Sequence, residues 1–149
     1  ALSQIETQKS NPTIGVLWKV ASGLGISFAE LVDDSRLGAV LLRRDETRLL
    51  RSADGRFESR PLAPSGTSPM VELYELKLAP RARHSSEAHA AGTREVLVVL
   101  NGKLRMQIGE TSHDLNVGDS IAFAADVPHV YENTTATDAR LHNVIIYAL

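Results

Sequence analysis

The chain has 149 residues, 43% of them hydrophobic, with a formal net charge of −2 and no cysteine. That length supports one good core plus a small appendage, the lack of thiols excludes disulfides and thiolate metal sites, and the near-neutral charge leaves no strong electrostatic footprint for nucleic acid or membrane. No apolar run approaches the roughly 20 residues that span a bilayer, and the first residues lack a signal peptide's charged start and apolar core, so a cytoplasmic protein without membrane contact is expected.

The opening Ala1-Leu2-Ser3 carries no initiator methionine, which fits a trimmed or incomplete product. Residues 1 to about 33 read as helical. Leu2 to Gln8 suits a first helix, with Leu2, Ile5 and Glu6 on adjacent turns. Asn11-Pro12-Thr13 starts the next, because proline is pre-set for a first helical turn. Leu17, Val20, Ala21 and Leu24 then recur at i, i+3, i+4 and i+7 as one apolar stripe. Gly25 can close that helix in the left-handed conformation, and Ser27-Phe28-Ala29-Glu30 matches a capping box that opens a short helix through Leu31 and Val32.

After Asp33-Asp34-Ser35 the pattern changes to short Val, Leu and Ile runs separated by turn residues, the signature of an all-β domain. Strands are expected at Val40–Arg44, Phe57–Pro61, Val71–Leu78, Glu95–Leu100, Lys103–Ile108, Thr111–Leu115, Ser120–Phe123, His129–Asn133 and Leu141–Ala148. Pro64 to Pro69 reads as a loop, and Asn101-Gly102 as a two-residue hairpin with both turn positions at positive φ. Alternation puts His129, Tyr131 and Asn133 on one face, Glu95, Leu97 and Val99 on another, and Leu104, Met106 and Ile108 on a third. If these faces converge, they enclose an apolar cavity with a few polar groups, the usual form of a small-molecule site. His84 reads as a surface histidine in a polar loop, and His142 as a hydrogen-bonded core histidine on a face with Val144 and Ile146.

Two motifs in the second half carry a family resemblance: Glu87-Ala88-His89 with Glu95 and Gly102, then Gly118-Asp119 with Pro128-His129 and Asn133. Residues 38–149 resemble the cupin superfamily. The resemblance implies a mainly β fold, a double-stranded β-helix or jelly-roll barrel, here preceded by a partial all-α segment. Carried over to these positions, it implies metal ligands at His89, Glu95 and His129. At the first histidine position of the motif this chain has Glu87, a possible fourth ligand, and it lacks the family's glycine between Pro128 and His129. Two imidazoles and a carboxylate suit Zn, Fe, Mn or Ni. Without a metal, the same groups would hydrogen-bond an organic ligand or one another, since buried ionisable groups need partners. Tyr131, Asn133, Met106 and Leu97 are the expected ligand-binding residues.

Residues 1–34 resemble the second half of an Xre/Cro-type helix-turn-helix domain, through Leu2-Ser3-Gln4-Ile5-Glu6, Asn11-Pro12-Thr13, Leu17, Val20-Ala21, Leu24-Gly25-Ile26 and Leu31. The resemblance places Leu2 to Gln8 in the recognition helix, with Ser3, Gln4, Thr7, Gln8 and Lys9 available to bases or phosphates. The family's first two helices and the turn before the recognition helix have no counterpart in these residues. Residues 1–34 also set only Lys9 and Lys19 against four carboxylates, so most of the charge that meets phosphate must come from elsewhere. The plain alternative is a helical extension packed on the barrel.

Together the two resemblances imply a DNA-binding transcription regulator, not an enzyme, whose cupin domain senses a small-molecule effector. Such readers act as homodimers on paired half-sites, with ligand biasing a two-state equilibrium. The competing reading is a metal-dependent cupin enzyme of the dioxygenase or isomerase class, and a third is a bare binding module whose helical segment only oligomerises.

Overall fold

The computed structural model describes residues 39–64 and 70–148, together with Gly23. The chain divides into two compact units, residues 1–39 and 40–149. Gly23 is helical and exposed. The expected recognition helix, with Ser3, Gln4, Thr7, Gln8 and Lys9, lies outside the described residues. None of the described helical residues belongs to a segment long and apolar enough to cross a membrane.

Among its described residues the second unit contains ten strands: β1 (Leu50–Arg51), β2 (Phe57–Pro61), β3 (Val71–Leu78), β4 (Arg83–Ser86), β5 (Arg94–Asn101), β6 (Leu104–Ile108), β7 (Thr111–Leu115), β8 (Ser120–Ala124), β9 (His129–Asn133) and β10 (Ala139–Ile146). They form two antiparallel sheets, one ordered β1-β2-β3-β10-β5-β8 and the other β4-β9-β6-β7. From β3 to β10 every connection but the β6–β7 hairpin passes from one sheet to the other. That wrapping is a jelly roll, the cupin fold.

Period-2 alternation decides which side chains fill the space between the sheets. In β9, His129, Tyr131 and Asn133 are buried while Val130 and Glu132 are only partly so. In β5, Glu95, Leu97 and Val99 are buried on one face. Leu76, Leu78, Leu97 and Leu141 of the larger sheet meet Leu104, Met106, Leu115 and Tyr131 of the smaller in one core cluster. Each fully buried leucine contributes about 2 kcal/mol of hydrophobic stabilisation, so this cluster holds the sheets in register.

The structure corrects four expectations. Residues 40–43 form no strand; Arg44–Glu46 is a short 3-10 turn in which Glu46 Oε2 accepts from the Arg43 N–H at 3.1 Å. Val40 and Leu41 are 57% and 70% exposed, so their apolar character finds no sheet to pack on. β4 is a strand despite its polar Arg-His-Ser-Ser sequence, because it pairs with β9 from the edge of its sheet. Asn101-Gly102 is not a hairpin but a corner between sheets, for β5 pairs with β10 and β8 while β6 pairs with β7 and β9. Only Gly102 has positive φ there (78°), and Asn101 Nδ2 donates to the Asp138 carbonyl at 2.9 Å instead of closing a tight turn. Finally, the inward face of β10 is Leu141 and Asn143, not His142 and Val144.

Candidate metal centre

Two loops bring the polar groups together. The segment before β5 is tied to the one before β9 by Ala125 N–H to Thr93 O at 2.8 Å, His89 N–H to Ala125 O at 2.9 Å, and Gly92 N–H to Asp126 Oδ2 at 3.0 Å. Gly92 has φ 80°, and a Cβ there would lie 2.8 Å from that of Ala148, so only glycine fits this bend. The ties carry His89, a loop residue, to the inner ends of β5 and β9, where Glu95 and His129 point inward.

His89 Nε2 lies 2.8 Å from Glu95 Oε1, and His129 Nε2 lies 3.5 Å from the same oxygen. The three potential ligand atoms are all within 4.8 Å of one another. The side chains of Glu95 and His129 are 1% and 0% exposed, while His89 is 31% exposed and forms the solvent side. Tyr131 Oη donates to Glu95 Oε2 at 2.6 Å. His129 Nδ1 lies 2.9 Å from the Val127 carbonyl. A carbonyl can only accept, so Nδ1 carries the proton, and in the neutral ring Nε2 keeps a lone pair. That Nε2 is buried and has no hydrogen-bond partner, since the Glu95 oxygen 3.5 Å away is itself an acceptor.

The electrostatics fit a carboxylate ringed by imidazoles. Burial alone would push the Glu95 carboxyl up, but His129 and Tyr131, then His89, hold it below the usual carboxylate range. Burial pulls His129 down, yet Glu95 and the Val127 carbonyl outweigh it and the net shift is upward. Burial, aided by the Glu95 charge, raises the Tyr131 hydroxyl well above its ordinary value, so it stays a donor.

Beside this cluster lies a cavity of about 170 Å3, whose lining includes Phe57, His84, His89, Glu95, Tyr131 and Asn143. Of the expected ligand-binding residues, Tyr131 lines it. Leu97 and Met106 are fully buried core residues outside that lining. Asn133 is spent on the fold: its Nδ2 donates to the carbonyls of Leu78, Ala79 and Thr137, and its Oδ1 accepts from Thr135. Glu87, the expected fourth ligand, is exposed and outside the cluster, because its side of the loop faces solvent. His84 lies on strand β4, not in a loop, and is half-buried, stacking on Phe57 with ring centroids 3.8 Å apart and 7° from parallel. Sequence reasoning missed Asn143 because Val144 and Ile146 suggested the wrong face of β10, although Leu141 two residues earlier has the right parity.

The cupin domain family matches residues 74–146. The chain is 30% identical to the HTH-type transcriptional regulator SutR of Escherichia coli over 148 residues, which covers 98% of this chain and 78% of that protein. The crystal structure of an HTH_3 family transcriptional regulator from Vibrio cholerae is 32% identical, with a TM-score of 0.60 over 99% of this chain and 79% of that one. A hydroxypropylphosphonic acid epoxidase from S. wedmorenis, 23% identical with a TM-score of 0.63 over 89% of this chain and 74% of its own, shares the fold alone. On sequence, coverage and fold together, the chain belongs to the HTH-type transcriptional regulators that carry a cupin domain.

Proposed function

We propose that this regulator binds DNA as a homodimer and that its cupin barrel senses a small-molecule effector. The observation that carries the sensing is the His89–Glu95–His129 cluster, its Glu95 and His129 buried, at the wall of an open cavity, where hydrogen bonds within the site leave the His129 Nε2 lone pair unused. On the DNA side, Ser3, Gln4, Thr7, Gln8 and Lys9 are the contacts, and effector binding biases the dimer between DNA-competent and incompetent arrangements.

The cluster fits a divalent metal, with His89 Nε2, Glu95 Oε1 and His129 Nε2 as ligands and Zn, Fe, Mn or Ni as the ions such a set suits. Bound there, the metal supplies a Lewis-acid anchor for an oxygen of the effector. The chain's own groups do the positioning. The Val127 carbonyl fixes the tautomer and plane of His129, and Tyr131 fixes the Glu95 carboxylate, as outer partners do around metal ligands. The proton between His89 Nε2 and Glu95 Oε1 would have to leave before both atoms could hold a metal, since ligands must be deprotonated.

The test is a gel shift of full-length protein against the DNA upstream of its own gene, repeated for His129→Ala. The expected result is a specific complex that small-molecule extracts alter in the parent and not in the variant. No specific complex with that DNA would end the regulatory reading. The two-histidine, one-carboxylate set also leaves coordination positions open, which favours metal-dependent catalysis as the second reading. Turnover of a small acid by the metal-loaded protein, lost in His129→Ala, would establish it.

A further inference from the structure

We infer that the cavity recognises its effector through the side-chain carboxamide of Asn143, and that the ligand end read there is uncharged, a carboxamide or hydroxyl rather than a carboxylate or an ammonium. The inference rests on the proposal that the barrel holds a small-molecule effector.

Asn143 sits at the middle of the larger sheet, on β10 between Tyr74 of β3 and Leu97 of β5. It is 3% exposed and lines the cavity, yet its Oδ1 has no hydrogen-bond partner. Folding alone selects against such an atom, since a buried amide oxygen without a partner loses its hydration and gains nothing in return. Asn133, equally buried, shows the contrast: three carbonyls and Thr135 satisfy its amide. Leucine at position 143 would fill the same space without the loss. The unpaired Oδ1, in the wall of the cavity, is therefore directed at a donor on something that enters it. A carboxamide offers one acceptor and two donors, which suits a ligand group that both donates and accepts.

Charge selects the ligand class. Among the described residues no lysine or arginine lines the cavity, so a ligand carboxylate meets no cation among these side chains. Glu95, the one carboxylate in the described lining, already has both oxygens in hydrogen bonds, to His89 and Tyr131, so an ammonium would have to compete with those partners for it. Tyr74, also in the lining, donates its hydroxyl to Glu72 at 2.9 Å. What remains is neutral: the Ser59 and Ser86 hydroxyls, the His84 imidazole held against Phe57, and Asn143. A volume of about 170 Å3 lies below the roughly 300–1,000 Å3 of drug-sized pockets, which favours a small metabolite.

The test uses full-length protein in excess chelator, so that no metal contact contributes, and three probes on one branched four-carbon skeleton: isobutyramide, isobutyrate and isobutylamine. Calorimetry is expected to show isobutyramide binding at least tenfold more tightly than either charged probe. The Asn143 side-chain amide resonances should shift on its addition. Asn143→Leu should weaken isobutyramide binding tenfold or more while its ligand-free Tm stays at or above the parent's. Equal or tighter binding of a charged probe overturns the inference. So does an absence of isobutyramide binding, unmoved Asn143 resonances, or a Tm in Asn143→Leu well below the parent's, which would assign the residue to the fold. Failure of the sensing proposal is read separately, as isobutyramide binding that leaves the gel-shifted DNA complex unchanged.

Discussion

Tyr131 Oη donates to Glu95 Oε2 at 2.6 Å, and because Tyr131 is on β9 and Glu95 on β5, this one bond joins the two sheets at the metal cluster. It leaves Oε1 for the two imidazoles. Tyr131→Phe keeps the ring in the core but frees the carboxylate to rotate, and removal of such an outer partner weakens metal binding about 10- to 100-fold. Zn2+ affinity measured by chelator competition should fall within that range, with the folded state retained. Unchanged affinity would show that the tyrosine plays no part in orienting Glu95.

Glu87 and His129 make opposite predictions about the ligand set. His129 is buried with an unpaired Nε2 in the cluster, while Glu87 is exposed outside it. His129→Ala should therefore abolish stoichiometric Zn2+ loading, and Glu87→Ala should leave it within about twofold, since removing a solvated carboxylate alters only a screened interaction. Metal content by mass spectrometry after dialysis separates the two. Loss of metal in Glu87→Ala would restore it to the set.

Much of this site was legible in the sequence, and the limits have physical causes. The resemblance to two cupin motifs named His89, Glu95 and His129, which do come together: strand alternation turns Glu95 and His129 inward, and the loop ties carry His89 to them. Tyr131 followed from its parity with His129. The cavity's far lining did not follow. His84 lies in a strand whose polar sequence gives no hydrophobic period, so its place depends on pairing with β9, a contact distant in sequence. Asn143 was hidden because both faces of the central strand β10 carry aliphatic residues, Leu141 and Ile145 on one and Val144 and Ile146 on the other. The Asn101-Gly102 corner looked like a hairpin for a related reason: local turn chemistry does not say which sheet the next strand joins.

Asn133 belongs to the second cupin motif, yet its hydrogen bonds make it a tie for the β9–β10 connection, reaching Leu78, Ala79 and Thr137. Asn133→Ala strips three carbonyls and the Thr135 N–H of a partner at once. Each buried group left unsatisfied costs about 1–3 kcal/mol, and relaxation toward water offsets part of it, so the expected loss is about 3 kcal/mol. Urea unfolding measures it. Isobutyramide affinity in the folded variant should stay at the parent value, because Asn133 does not line the cavity.

Glu75, on the outer face of the larger sheet, lies 3.2 Å from Arg60 Nη2 and 3.4 Å from Arg44 Nη2. Burial pushes its carboxyl up, but Arg60, Arg44 and Arg140 outweigh that and hold it below the ordinary value. A carboxyl with a depressed folded pKa contributes stability above its unfolded pKa of about 4.3 and loses it as pH falls through the folded one. Urea midpoints between about pH 5 and 3 should therefore fall less steeply in Glu75→Gln than in the parent, with the two converging at the acid end. Parallel slopes would show that the ion pairs do not act on stability.

Gly102 and Gly109 test how closely the corner between sheets is packed. Both have positive φ, 78° and 54°, so alanine at either is strained by the backbone conformation alone. At Gly109 an added Cβ meets nothing within 4 Å, whereas at Gly102 it lies 3.0 Å from Ala139 Cα and 3.1 Å from the Asp138 carbonyl. Those are backbone atoms at the start of β10, held in the ladder with β3, and cannot swing away as a side-chain tip would. Gly109→Ala should cost about 1 kcal/mol, and Gly102→Ala more, about 2–3 kcal/mol once the overpacking is added. The difference between the two in urea unfolding isolates the close approach of β10 to the corner. Equal losses would mean that the corner yields, and that Gly102 serves only for its φ.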